Sequence, residues 1–349
     1  VYMFRIMSRH GEMTTVDLVT ALKAAAEPTR MRILLLLAGG ELNVKDLTLI
    51  LGQSQPRISR HLKLLCEAGL IERFRDGSWV YFHISDRQAG GRLALRLVAD
   101  VDPSETSVRR DRERAEALKR EREGVAQTFF EKHAADWDRI RALHVAENDV
   151  EAAMRRSIGE GPFDFFVDLG TGTGRTLELF ADRFERGLGL DVNQTMLTYA
   201  RANLKAKGCG KAQVRHGDLY SLSLADQQAD AVIMHQVLHF LSDPALAIRE
   251  AARVLAPGGK LLVVDFAPHE LEFLRSREAH ERLGFAHEQV VGWMKDAGLT
   301  PKTVEDLAPK TNDREDMLTV TIWLAERPLG QMPLTKRTAS AADAREGAR

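Results

Sequence analysis

The sequence predicts two folded domains joined by a long, charged helical linker: an α+β domain near the N-terminus and a larger α/β domain after it. Residues 14–86 show helical periodicity that ends in an alternating apolar stretch, and residues 87–150 are helical and rich in charge. Residues 151–327 alternate apolar strands with amphipathic helices, a pattern typical of a parallel sheet with helices on both faces. Strands are expected near 165–169, 187–191, 213–216, 231–235 and 260–265, with a late antiparallel hairpin strand at 318–324, and Pro-Gly-Gly at 257–259 is expected to break the chain. The polar segment 328–349 is expected to be a disordered tail.

The composition is that of an ordinary soluble protein, and its charge is balanced. The formal net charge of the 349 residues is -1, so any affinity for nucleic acid must come from a local basic patch. The two cysteines, Cys66 and Cys209, show no pairing pattern, which suits a reducing cytoplasm. No apolar run reaches the roughly 18–20 residues of a membrane span, and we expect no membrane contact.

The first domain begins with segments of helical spacing. Apolar residues recur through residues 22–38 and 42–51, and Gly52 ends the second segment. A third segment begins at Ser54, a good N-cap, with Pro56 in the first helical turn. Two short helices separated by so tight a turn predict a helix-turn-helix.

One face of the third segment is rich in hydrogen-bond donors. Ile58, Leu62 and Leu65 define an apolar side. The opposite side carries polar and basic residues, namely Ser54, Gln55, Arg57, Ser59, Arg60 and Lys63. Such side chains contact base edges and phosphates when a helix lies in the major groove. We therefore predict that this face binds double-stranded DNA.

A β-hairpin is predicted directly after this helix. Two alternating runs, 70–75 and 78–84, flank an Asp-Gly pair at 76–77, a strong hairpin pattern. Arg73, Arg75 and Trp79 lie on the hairpin and are predicted to contact DNA beside the helix. Helix and hairpin together predict a winged helix-turn-helix.

Several spaced motifs in residues 15–85 resemble the ArsR/SmtB family of winged-helix repressors. They are AEPTR at 26–30, RIL at 32–34, SRHLK at 59–63 and AGLI at 68–71, followed by the hairpin. The resemblance implies a homodimer with recognition helices roughly 34–36 Å apart. Metal-sensing members carry cysteines where this chain has Asn43 and Lys45, so we expect no metal sensing there. An alternative is a winged helix that binds a protein instead of DNA.

A glycine loop marks the second domain. The sequence VDLGTGTG at 167–174 ends an apolar strand, and Asp191 ends the next one, as in a nucleotide-binding βαβ unit. A dinucleotide fingerprint would place glycine at 175, which is Arg175, and a P-loop lysine is missing.

This glycine spacing, with Asp168 ahead of it and Asp191 after it, resembles the S-adenosylmethionine (SAM) site of Rossmann-like methyltransferases of the ubiquinone/menaquinone-biosynthesis type. The resemblance covers about residues 125–327 and includes RVLAPGG at 253–259. It implies that Asp168 pairs with the methionine ammonium, directly or through water, that Asp191 pairs with the ribose hydroxyls and that Asp218 accepts from the adenine amino group. The full set of implied ligand-binding residues is Asp168, Gly170, Thr171, Gly172, Gly174, Asp191, Val192, Met196, Asp218, Leu219, His235 and Gln236. The alternative is the same fold with an empty or repurposed pocket.

Catalytic residues are harder to predict, because methyl transfer can proceed by proximity and desolvation without a nucleophile. His235 is the candidate catalytic base, followed by His239, Tyr220 and His269. Histidine and acidic residues at 269–287 match no metal-ligand spacing, so we expect no metal. Arsenite methyltransferases depend on several cysteines, and this domain has only Cys209, so that activity is not expected.

The linker allows two interpretations. A continuous helix over 104–145 would be about 60 Å long, either as a solvated spacer or as a strut that connects ligand binding to the DNA-binding dimer. Phe129, Phe130 and Trp137 are candidate lid residues over the SAM pocket. We predict a DNA-binding domain at 14–86, a dimerisation or linker segment at 87–124 and the methyltransferase-like domain at 125–327.

These patterns predict an ArsR-type transcriptional regulator whose methyltransferase-like domain binds SAM or S-adenosylhomocysteine (SAH), as effector or as enzyme. The alternative is an active methyltransferase with a small-molecule acceptor and an accessory DNA-binding domain. A methyltransferase held on a protein by its winged helix is a third possibility.

Overall fold

The computed structural model describes residues 13–141, 146–309 and 317–329. Residues 330–349 of the predicted tail lie outside them. The first domain opens with α1 (Thr15–Ala25) and α2 (Pro28–Leu37), where the sequence predicted one helical segment from 22 to 38. The helices separate because Pro28 has no N–H and restricts the residue before it. Glu27 instead caps α2, accepting a hydrogen bond from the Arg30 N–H at 2.9 Å.

The predicted winged helix-turn-helix is confirmed. α3 (Val44–Leu51) ends at Gly52, whose φ of 65° is left-handed, and α4 (Gln55–Glu67) follows. β2 (Glu72–Asp76) and β3 (Trp79–His83) form the antiparallel hairpin, and β1 (Leu42–Asn43) pairs with the other edge of β3. Ile58, Leu62 and Leu65 of α4 are buried in the core of this domain.

The helix predicted over 104–145 is shorter in the structure, and residues 142–145 lie outside the described ranges. After α5 (Ala89–Ala99), α6 (Thr106–His133) has 28 residues, or about 42 Å at ~1.5 Å per residue. A single 3-10 turn and α7 (Trp137–Arg141) follow. The chain bends there so that the Trp137 ring packs edge-on against Phe130, with ring centroids 5.2 Å apart.

The second domain is built on a seven-stranded sheet in the order β6-β5-β4-β7-β8-β10-β9. β4, β5, β6, β7 and β8 are parallel, and β10 is antiparallel to β8, as predicted for the late strand. The strands are β4 (Phe166–Leu169), β5 (Gly187–Asp191), β6 (Ala212–His216), β7 (Ala229–His235), β8 (Leu255–Phe266), β9 (Thr300–Leu307) and β10 (Val320–Glu326).

Two strands differ from the prediction. β8 begins at Leu255 and runs through the Pro-Gly-Gly at 257–259, where a break was expected, because Gly258 and Gly259 exchange backbone hydrogen bonds with Arg327. β9 was not predicted. It is an edge strand with mostly exposed or half-buried side chains, so it lacks the apolar run that identifies a buried strand.

Helices cover both faces of the sheet, which confirms the predicted α/β architecture. α8 (Glu147–Ile158) and α10 (Gln194–Ala206) pack on one face, and α11 (Pro244–Val254) and α13 (His287–Asp296) on the other. Two short helices, α9 (Arg175–Leu179) and α12 (Phe273–Arg277), complete the domain. None of the helices described is long and apolar enough to cross a membrane.

Candidate functional site

A cavity of about 390 Å³ lies at the carboxyl ends of the parallel strands, the usual ligand position in such sheets. The glycine loop after β4, the end of β5 and the end of β7 form its floor. Ten of the twelve predicted ligand-binding residues line it: Gly170, Thr171, Gly172, Asp191, Val192, Met196, Asp218, Leu219, His235 and Gln236. The other two, Asp168 and Gly174, do not.

Asp168 is buried at the end of β4, beneath the glycine loop. Its side chain accepts a hydrogen bond of 2.6 Å from the Thr171 hydroxyl, and its second oxygen, Oδ1, has no partner. Burial raises the pKa of this carboxyl to about 7. A carboxylate with a free buried oxygen matches a ligand that brings a positive charge.

Asp191 is fixed by backbone donors on both oxygens. The Gly172 N–H donates to Oδ2 at 2.9 Å and the Asn193 N–H donates to Oδ1 at 2.8 Å. Burial raises the pKa of Asp191. The carboxylate is thereby held at the cavity floor, where its remaining lone pairs can accept from ligand hydroxyls.

The glycines serve packing as much as ligand access. A Cβ on Gly170 would lie 2.4 Å from a methyl of Val237, so the constraint there comes from the protein itself. Gly174 does not line the cavity. It is the N-cap of α9 with a φ of 85°, and a Cβ there would meet Ala200 and Leu204 of α10 at 3.3–3.4 Å.

The last residue of β7 and the residue after it each have a buried polar atom without a partner. His235 is buried with Nε2 unpartnered, and burial lowers its pKa well below the usual value. A neutral histidine of low pKa is a poor general base near pH 7, which weakens its predicted catalytic role. Gln236 has a φ of 51° and a buried Nε2 without a partner. Because buried polar groups are normally paired, these atoms fit a polar ligand.

Most of the cavity wall opposite the glycine loop was not predicted from the sequence. α6 contributes Glu123, Ala126, Gln127 and Phe130, and α7 contributes Trp137 and Arg141. Phe130 and Trp137 were candidate lid residues, and the i, i+3, i+4, i+7 spacing of the α6 set could have extended that prediction. α7 is tied to the glycine loop, since the Thr173 hydroxyl donates to Asp138 at 2.7 Å.

A smaller chamber of about 20 Å³ adjoins the pocket and shares Trp137, Arg141, Gln236 and Phe240 with it. Phe129 and His239 line this chamber. His239 Nδ1 lies 2.8 Å from Asp265 Oδ1, and both side chains are buried.

Of the two remaining candidate bases, Tyr220 lines the pocket. The Tyr220 hydroxyl accepts from the Asp243 N–H at 3.2 Å, and burial raises its pKa. His269 lines neither the pocket nor the chamber. Within the described ranges, no three His, Cys, Asp or Glu side chains are grouped as metal ligands.

The predicted DNA-binding face of α4 is exposed. Ser54, Gln55, Arg57, Ser59, Arg60 and Lys63 are all exposed, opposite the buried apolar side. Ser54 holds the N-cap position, yet its side chain makes no capping hydrogen bond. The structure thus leaves this face open to a partner.

The hairpin differs from the expectation at its tip. Arg73 and Arg75 are exposed, but the second domain covers the turn. Asp76 is buried and accepts hydrogen bonds from Arg275 at 2.9 Å and from the Leu283 N–H at 2.8 Å. Trp79 lies under the Arg275 guanidinium, 4.1 Å from the ring centroid. Trp79 is therefore engaged within the chain instead of standing free for DNA.

Comparisons with known proteins agree with both halves. Residues 27–73 match the model of the bacterial regulatory protein arsR family, and residues 167–263 match a methyltransferase domain. The first match covers the helix-turn-helix and the start of the hairpin, and the second covers β4 through most of β8.

Individual relatives match one half each. The arsenical resistance operon repressor of Escherichia coli is 52% identical over 64 residues, which is 18% of this chain and 55% of the repressor. A probable S-adenosylmethionine-dependent methyltransferase of Mycolicibacterium smegmatis is 32% identical over 149 residues, covering 38% of this chain and 56% of that protein. The chain thus spans little more than half the length of these relatives.

Among solved structures, the YcgJ protein of Bacillus subtilis is similar to 52% of this chain and 100% of its own, with 19% identity and a TM-score of 0.46.

Proposed function

We propose that this chain, which joins an ArsR-type regulator domain to a methyltransferase domain, is a DNA-binding regulator controlled by SAM or SAH. The observation that carries this proposal is the position of α6, which belongs to both domains. We place the functional boundaries at 14–86, 87–124 and 125–327, and α6 crosses the last of them.

The first half of α6 packs on the DNA-binding domain. Asp111 accepts two hydrogen bonds from Arg32 of α2, at 2.6 and 2.7 Å. Arg114 donates to the Ile50 carbonyl near the end of α3, at 2.9 Å. These contacts connect α6 directly to the helices that support α4.

The second half of the same helix forms a wall of the pocket. Gln127 and Phe130 line the cavity, and Gln127 also accepts from Asn193 at 2.9 Å. A ligand that contacts this wall differently in two conformations shifts their populations. The helix would carry that shift to the DNA-binding domain.

The residues present fit SAM or SAH. Asp168 lies beneath the glycine loop and outside the cavity lining, and it would pair with the ligand ammonium directly or through a water. Asp191 would accept from the ribose hydroxyls, and Val192 and Asp218 would contact the adenine. SAM supplies a methyl group activated by the positive sulfur. The side chains bind and orient the ligand, and the aromatic rings of Phe130 and Trp137 shield it from water.

The test combines ligand titration with DNA binding. SAH is expected to bind the purified full chain in calorimetry and to change its affinity for a duplex from upstream of its own gene. Arg57→Ala or Arg60→Ala should cost roughly 1–3 kcal/mol of specific binding where the side chain contacts a base. Arg201→Ala, an exposed arginine on α10, is the charge-matched control. Equal affinity for the duplex with and without saturating SAM and SAH would refute the proposal that these ligands control DNA binding.

Ligand affinity is expected to depend on pH through Asp168. The pKa of this carboxyl is about 7, so it is protonated and uncharged below that pH, whereas the ligand ammonium pairs with the ionised form. SAH affinity should therefore fall by up to about tenfold per unit as the pH drops below 7. Asp168→Asn should bind SAH weakly and with a flat profile. Calorimetry between pH 5.5 and 8 makes the measurement, and a flat wild-type profile would contradict the assignment.

A methyltransferase that acts on a small-molecule acceptor is the second candidate function. The buried His239–Asp265 pair beside the pocket favours it, because an aspartate that orients a histidine is a common base arrangement. Release of SAH from SAM in the presence of an acceptor would establish this activity.

We also propose that the protein works in the cytoplasm as a homodimer. α1 exposes Val16, Val19 and Leu22, an apolar surface that a second copy could cover. Sedimentation of the full chain would give its oligomeric state.

A further inference from the structure

The hairpin tip is fastened to the second domain by contacts that the proposed function does not use. Asp76 receives Arg275 and the Leu283 N–H, and the Ser78 N–H donates to Glu272 at 2.6 Å. Between them, a Cβ on Gly77 would lie 2.4 Å from the Glu272 carboxylate and 2.6 Å from Leu283. We call this contact of residues 76–78 with Glu272, Arg275 and Leu283 the hairpin clamp.

Charged side chains continue the interface behind the clamp. Arg282 is 1% exposed, lies 3.0 Å from Glu41 and stacks on the Tyr81 ring at 3.8 Å. Burial raises the pKa of Asp76 although two arginines adjoin it. Buried ion pairs recover little more than their desolvation cost, and polar interfaces between domains commonly allow relative motion. This interface is suited to opening.

The clamp conflicts with DNA binding by the hairpin. A turn buried against another domain cannot contact a phosphate, whereas Arg73 and Arg75 beside it on the hairpin remain exposed. We propose that the hairpin clamp is an autoinhibitory contact, and that the chain must release residues 76–78 from the second domain to bind DNA at full affinity.

α6 connects the pocket to the interface behind the clamp. Arg122 forms ion pairs with Asp46 of α3 and, at 2.8 Å, with Glu281, the neighbour of Arg282. Further along the same helix, Gln127 and Phe130 line the pocket. A ligand that contacts this wall stabilises α6 against the second domain and hence the closed clamp. SAM or SAH therefore lowers DNA affinity, and DNA lowers ligand affinity by the same factor. The direction of this ligand effect on DNA affinity rests on the proposed function, whereas the clamp itself does not.

The test opens the clamp by substitution and measures binding of the full chain to a mixed-sequence duplex at low salt, which reports phosphate contacts. Arg275→Ala removes the partner of Asp76 and is expected to tighten binding at least about fivefold, within the usual range of coupling between sites. Glu272→Ala, a partly exposed side chain, should tighten it less and tests the clamp should Arg275→Ala fail to fold. Glu305→Ala is the matched control, because Glu305 is 39% exposed against 40% for Glu272 and also pairs with an arginine.

Hydrogen exchange of backbone amides reports whether the clamp is open or closed in the absence of DNA. The N–H groups of Ser78 and Leu283 should exchange faster in both variants, and SAH should slow them in the wild type. Folded variants with wild-type duplex affinity and unchanged exchange would overturn the clamp. Failure of SAH to bind the wild type, with tighter duplex binding by Arg275→Ala, would refute the proposed function and leave the clamp standing.

Discussion

Replacing Asp191 with alanine is expected to weaken SAH binding about a hundredfold. The carboxylate stands at the cavity floor with both oxygens held by backbone donors. Hydrogen bonds to a charged group contribute about 1.5–3 kcal/mol each, and loss of two to the ribose amounts to about 3 kcal/mol, or two orders of magnitude. Calorimetric titration of the full chain measures the change.

Two controls make this result specific. Asp218→Ala removes an exposed carboxylate at the adenine end and should cost about tenfold, consistent with the loss of one charge-assisted bond. Asp182→Ala breaks a surface pair with Arg155 outside the pocket and should leave affinity unchanged. SAH binding that survives Asp191→Ala would show that the ligand binds elsewhere.

Arg122→Ala is expected to destabilise the chain by about 3 kcal/mol, because it leaves buried carboxylates without their partner. Asp46 is fully buried and Glu281 has 8% of its side chain exposed. The two carboxylates belong to different domains, so the substitution should also weaken the contact between them. A drop in Tm of roughly 5 °C or more in scanning calorimetry is the expected result.

The matched control lies on the same helix. Arg109 pairs with Glu113 one turn along α6, and both side chains are about two-thirds exposed. Arg109→Ala should change stability by no more than about 0.5 kcal/mol, as for other exposed pairs. Equal losses for the two variants would mean that the Arg122 pairs contribute no more than a surface contact.

Local patterns in the chain were enough to predict both folds and the core of the pocket. Helical periodicity predicted which side of α4 carries exposed donors and which side buries Ile58, Leu62 and Leu65. This periodicity depends only on residues close together in the chain. Asp191 was predicted from the glycine loop followed by an acidic strand end, and its role from the family resemblance. The structure brings the two together because parallel strands end at one edge of the sheet.

The position at which the two domains meet depends on contacts between residues far apart in the chain. Asp76 and Arg275 are 199 residues apart, and Arg122 lies 159 residues from Glu281. No periodicity connects such positions, because the packing of whole domains brings them together. The Asp-Gly turn predicted a free hairpin tip, since turn chemistry depends on adjacent residues and contains no information on what covers the turn. Local patterns therefore specify the two folds and their local sites, whereas the shared helix α6, the wall of the pocket and the clamp arise from packing between the domains.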